Sequence, residues 1–388
     1  DDTNLGASAR VLLIHSMKAL PDECQPRVQP YLHLPVYHIV GAMLRSPATG
    51  NIPWPLGCTD SNAVFQQDGM YHVMHQTPSR DHLPQHGLKD YRAAWGHVAS
   101  RDLVHWRRLP DAIAPPPQGV HSYDSHDGDC DGWVSLPRHS GFNAPLLTFG
   151  PDCARGLSGA NDAPRVAVAR PANTSDPFLT KWQKDVSNPI LFADGSPPCS
   201  FSGSVWRHAG DANYSMICAV NQLHNAWGRY TTSDASLHGP WDLADPSFAT
   251  WHGAKNQSRT GLGSISAPSF VPLPPPRRAD APADAESSRE DGAAAPAPTH
   301  MINALGGRGF YLGVYDEALK KLGVIGEIHL VESLDSPANW FVAGTADDGR
   351  VLHVGFIAPG NPNKFEDCYN WRPAAGDLCP VTSIRSLR

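Results

Sequence analysis

Apolar residues along this chain come in short bursts rather than long helical stripes. Ala63 to Phe65, Met70 to His75, Trp95 to Ala99, Pro145 to Phe149 and Val166 to Ala169 are the first of them. Ser202 to Trp206, Ser215 to Val220, Phe310 to Tyr315, Leu322 to Val331 and Val351 to Ile357 follow. Each carries β-branched or aromatic residues and is bounded by turn formers, which is the pattern of strands joined by tight turns. Arg10 to Leu20 suits one short helix, and Glu317 to Leu322 one helical turn. Residues 1–54 read as an irregular lead-in. From residue 55 to 388 the strand–turn–strand pattern runs on, broken at about 272–300 by a Pro/Ala-rich run that cannot bury a core and is expected to be a disordered insertion.

A polar corner recurs within this pattern. Ser100-Arg-Asp-Leu-Val-His-Trp106 is echoed by Ser175-Asp-Pro-Phe-Leu-Thr-Lys-Trp182, by Thr232-Ser-Asp-Ala-Ser-Leu-His-Gly-Pro-Trp241 and by Glu332-Ser-Leu-Asp-Ser-Pro-Ala-Asn-Trp340. Each is a Ser/Asp turn followed by a Trp, after an apolar strand pair. Small sheets repeated radially, each closed by an aromatic, are how a β-propeller protects its edges.

Composition narrows the function. The 41% hydrophobic fraction is ample for a core, and 34 Gly with 37 Pro favour turns over helices. The formal charge of −7 includes no basic stripe, so no nucleic-acid partner is expected, and no apolar run is long enough to span a membrane. Eight cysteines without a CxxC pair argue against a zinc ribbon and for an oxidising compartment, with the pairing left open. Sequons at Asn173, Asn213 and Asn256 agree with a secreted glycoprotein, extracellular, vacuolar or in a cell wall. The start at Asp1-Asp2-Thr3 suits a processed, mature form.

Asp124, Asp127, Asp129 and Asp131 crowd one turn. Asp127-Gly-Asp-Cys-Asp-Gly132 has the D-x-D-x-D-G form of a calcium loop, but its twelfth position is Arg138 rather than a bidentate Glu. His72 and His75 lie on one predicted strand, where their spacing sends them to opposite faces. No metal and no cofactor is assigned.

The stretch Trp95-Gly-His-Val-Ala-Ser-Arg-Asp-Leu-Val-His-Trp106 resembles a segment of glycoside hydrolase family 32, the invertases and fructan-processing enzymes. Asp60-Ser-Asn-Ala-Val-Phe65, Gly69-Met-Tyr-His-Val-Met-His-Gln76, Tyr123 to Trp133, Pro171 to Trp182 with Asn188-Pro189, Gly261-Leu-Gly, Pro268-Ser-Phe-Val-Pro272 and Val381 to Leu387 match other family segments in the same order. The resemblance implies an all-β, five-bladed propeller. The sequence stops where the family's C-terminal β-sandwich begins, so that domain is expected to be absent.

It also implies a retaining glycosidase of the β-fructofuranosidase type, acting on sucrose or fructans through two carboxyl groups about 5 Å apart. Asp60 stands at the nucleophile position, and Asn62, Gln76 and Trp95 at substrate-binding positions. The remaining motifs depart from the family. Thr59 and Ser61 flank Asp60 in place of Asn and Pro. Pro198 to Trp206 contains neither the Arg nor the Asp of the family's Arg-Asp-Pro motif. The acid/base Glu is replaced at Ser266-Ala267, and no Glu occurs between Glu23 and Glu286. Asp124, Asp127, Asp129 and Asp131 are the candidates for a displaced acid. The functions these features allow are a fructosidase with altered catalytic groups, an inactive sugar-binding propeller, or a protein-interaction module working through its rim.

Overall fold

A computed structural model of the chain describes residues 43–45, 53–55, 61–79, 92–117, 120, 122–124, 128–151, 166–196, 199–220, 227–251, 266–274, 297–305, 309–329, 341–357 and 381–386. Strands β1 (Met43–Arg45) and β2 (Pro53–Pro55) pair antiparallel inside the segment expected to be irregular. The proposed helix at Arg10 to Leu20 and most of the 272–300 insertion lie outside the described residues.

The rest is built from antiparallel sheets. The first holds β3 (Ser61–Gln67), β4 (Met70–Pro78), β5 (Ala93–Ser100) and β6 (Arg107–Arg108) in that order. The second holds β7 (Asp129–Ser135), β8 (Leu146–Pro151), β9 (Ala167–Pro171) and β10 (Trp182–Lys184), with the helical turn α1 (Pro137–Ser140) between β7 and β8. The third holds β11 (Cys199–Trp206), β12 (Tyr214–Val220), β13 (Trp227–Thr232) and β14 (Asp242–Asp245). The fourth contains β15 (Ala249–Trp251), β16 (Ser266–Pro272), β17 (His300–Leu305), β18 (Gly309–Asp316) and β19 (Lys321–His329); β15 joins it parallel to β19. Last, β20 (Phe341–Thr345), β21 (Val351–Ile357) and β22 (Val381–Ser386) make a three-stranded sheet.

Strand β3 packs on β7, β7 on β11, β11 on β16, β16 on β20 and β20 on β3, so the sheets form a propeller. Where the sequence predicts five blades, the described residues build four complete ones. The remaining sector holds the three-stranded sheet. Glu317 to Leu322 is not a helical turn but the hairpin between β18 and β19, closed by the Asp316 carboxylate on the Ala318 and Leu319 N–H groups.

Period-two alternation makes the core. Val64, Val73 and Val98 face Ala346, Leu352 and Val354 of the last sheet, whereas Phe65, Met74 and Trp95 face Val134, Leu147 and Phe149 of the second. Hydroxyls stitch neighbouring blades. The Ser135 Oγ accepts the Val205 N–H and the Ser204 Oγ accepts the Phe270 N–H, both at 2.8 Å. Cys199 and Cys218 meet through their sulfurs on the paired strands β11 and β12.

Three of the four recurring corners are described. In each an Asp caps the turn, a Leu takes positive φ (Leu103 63°, Leu179 46°, Leu237 68°), and the Trp follows. The fourth, Glu332 to Trp340, lies outside the described residues.

Candidate functional site

The C-terminal ends of β7, β11, β16 and β20 converge on one cavity. The N-terminal ends therefore form the other mouth of the ring, where Ser266 opens β16. Asp60, Asp127 and Asn256 lie outside the described residues. Asp131 is described only as part of the β7 backbone.

Asn62 is the described candidate nearest to Asp60 in the chain. A register shift between Ser61 and Ala63 places a bulge at it, the kind of irregularity that re-aims a side chain. Its side chain is buried, and neither amide atom has a hydrogen-bond partner. Such an amide forfeits about 1–3 kcal/mol, and its persistence calls for a reason beyond packing.

Gln76 and Trp95 sit directly opposite each other on β4 and β5, and both are buried. Trp95 is 0% exposed and packs between the first and second blades. Its N–H donates to the Ile113 carbonyl at 2.9 Å, and its carbonyl accepts the Ala112 N–H at 2.7 Å. The structure gives Trp95 a packing role rather than a face for a sugar.

Three buried histidines share this blade. The rings of His72 and His97 meet through Nδ1 and Nε2 at 3.0 Å, and His72 stacks on Phe65. His75 lies over Gly96, where any Cβ would come within 2.5 Å of its ring. Burial lowers His72 and His75 to about 4 and holds His97 well below the ordinary value, so all three are neutral at pH 7. The opposite-face reading of His72 and His75 fits these contacts. His97 was missed, because the pairing of Met74 with His97 that brings it near His72 is a matter of register.

Two of the acidic-turn residues are committed elsewhere. The Lys184 ammonium donates to both Asp129 oxygens, at 2.7 and 2.8 Å, to Asp124, and to the Ala114 carbonyl at 2.7 Å. Asp124 and Asp129 are buried, which removes them from contact with any substrate. Burial raises Asp129 to about 7, against the pull of Lys184. Lys184, on β10, was missed by sequence reasoning, since nothing local links it to a turn so far away. Asn173 and Asn213 are both exposed.

Residues 57–236 match the model of the glycosyl hydrolases family 32 N-terminal domain. Beta-fructofuranosidase 1 of Zea mays is 28% identical over 231 residues, covering 54% of this chain and 32% of that protein. A beta-fructofuranosidase, insoluble isoenzyme 7, of Oryza sativa subsp. japonica is 24% identical over 325 residues, covering 81% and 42%. The chain thus spans less than half the length of these relatives. Among solved structures, fructan 1-exohydrolase IIa from Cichorium intybus in complex with 1-kestose superposes with a TM-score of 0.55 at 17% identity, over 91% of this chain and 59% of that one.

Proposed function

The chain belongs to glycosyl hydrolase family 32, and from that premise we propose that it binds fructosides such as sucrose or fructans at the N-terminal mouth of the ring and turns them over slowly or not at all. The observation that carries this is the lack of any Glu from residue 24 to 285, with Ser266-Ala267 opening β16 where the acid/base belongs. Loss of a general acid alone lowers the rate about 10²–10⁴-fold. The buried engagement of Asp124 and Asp129 by Lys184 supports the same reading, because it takes two of the four substitutes away. Asp60 in the nucleophile position favours a retained sugar site over a purely structural propeller.

The test is calorimetric titration with sucrose, 1-kestose and inulin, beside an assay of fructose release, on the chain and its Asp60→Asn variant. Binding without release is expected. Release that Asp60→Asn abolishes would overturn the loss of catalysis, and absence of any binding would overturn the sugar site.

The three-stranded sheet β20–β22 is read as a fifth blade, making residues 55–388 one propeller behind a lead-in of residues 1–54. The Cys199–Cys218 pair and the exposed sequons at Asn173 and Asn213 support passage through an oxidising, glycosylating compartment. Vacuolar and insoluble forms occur among the relatives, in Rosa and in Oryza.

A further inference from the structure

At the C-terminal ends of the inner strands, roughly 20 Å along the ring axis from their N-terminal ends, lies a cavity of about 320 Å³. Val64, Val134, Val205, Val271 and Gly344, one from each inner strand, are among its lining residues, together with Trp133, Trp206 and Phe270. Its polar lining includes Arg138, His139, His208, His300, Glu317 and Thr345. An adjoining cleft of about 550 Å³ shares Arg138, His139 and His208 and reaches Ala209.

The charges here are already spoken for. Arg138 pairs with Asp347 at 2.9 Å and donates to the Gln66 and Thr345 carbonyls at 3.0 and 2.7 Å. Glu317 meets Lys320 at 3.2 Å and His208 at 3.4 Å, and Lys320 also holds Asp211. Burial lowers both His139 and His300 to about 4, with Arg138 acting further on His139 and with His208 and His139 acting on His300.

Two ring nitrogens remain open. His139 Nε2 takes the Arg138 Nε–H at 3.3 Å and meets the Thr345 hydroxyl at 2.9 Å, so the proton sits on Nδ1, which has no partner and is not shut away. His300 Nδ1 meets the Thr299 hydroxyl at 3.0 Å, leaving Nε2 in the same condition. Neutral hydrogen-bonding groups beside aromatic walls, with Arg138, Glu317 and Lys320 each paired, suit a ligand that is itself neutral and carries both hydroxyls and an apolar face. An anion would need an unpaired cation inside the cavity; Arg207 lies in the adjoining cleft, over the Tyr214 ring. A metal ion would need a cluster of ligands, and the described residues contain none.

We propose that this cavity is a second binding site, for a neutral polyhydroxylated ring of sugar type, separate from the N-terminal mouth of the ring. It stands whether or not that mouth binds fructosides.

The test titrates glucose, fructose and sucrose into the full chain by calorimetry. One variant, Ala209→Trp, blocks the cleft from an exposed position; a second, His139→Gln with His300→Leu, removes the open nitrogens. Thermal unfolding reports that each is folded. Either variant is expected to weaken binding at least tenfold. Equal binding by the chain and by Ala209→Trp overturns the proposal. So does binding of citrate or inorganic phosphate that strengthens as the pH falls, which would mark an anion site.

Discussion

Gly96 shows how one residue of a motif is set by its neighbours. Trp95 and His97 face the second blade from either side of it, and the space a Cβ would take is filled by the His75 ring. Gly96→Ala is expected to destabilise the fold by about 1–3 kcal/mol, as overpacking of a buried site does; urea unfolding that matched the parent would sink this account. The buried imidazoles predict a pH response. His72 and His75 titrate near 4 in the fold and near 6.5 when unfolded, so between those values the unfolded chain binds more protons. Stability is therefore full above about pH 6.5 and falls as the pH drops towards 4. At pH 5 the loss is about 2 kcal/mol for each ring. Urea midpoints at pH 7 and 5 measure it, and a flat profile would exclude it. The sequence showed the Trp-Gly-His order but not its cause, because the partner that needs the glycine comes from another strand.

The repeated corner was the most legible element. Its Ser, Asp and Trp are close in sequence, so their hydrogen bonds are local and need no knowledge of the fold. Ser100 Oγ accepts the Asp102 and Leu103 N–H groups at 3.1 and 2.9 Å and donates to the Asp102 carboxylate. The shape this enforces holds Leu103 at positive φ, a conformation a leucine adopts only under constraint. Ser100→Ala leaves two N–H groups without that acceptor and is expected to lose about 1–2 kcal/mol, with Ser100→Thr retaining most of it. Hydrogen exchange at Asp102 and Leu103 is the sharper readout, and unchanged protection there would contradict the assignment. Strands such as β17 and β20 escaped the sequence reading. Their pairing decides them: Ser266 and Leu305 are partners across a long insertion, and no local period announces that.

At the scale of the molecule, the propeller was legible through repetition, whereas the site was legible only as a list of what had been replaced. Lys184 reaching Asp124 and Asp129, and histidines from three blades around one cavity, depend on closure of the ring. Among the described glycines the closest approach is at Gly344, on the strand that closes the ring, where an added Cβ would lie 1.7 Å from the Val64 carbonyl oxygen. The obstacle is backbone, so no side-chain rotation relieves it, and β20 would have to part from β3. Gly344→Ala is expected to lose about 3 kcal/mol. The form of the urea transition then separates two architectures. If the sheet β20–β22 is an integral part of one closed ring, the midpoint drops while the slope stays constant, because the same surface is still exposed in one step. If that sheet is an appendage on four blades, the variant shows a shallower or two-stage transition as β20–β22 leaves first. We expect the single transition, since Val64, Val73 and Val98 of the first blade share one core with Ala346, Leu352 and Val354 and neither half of it is buried without the other.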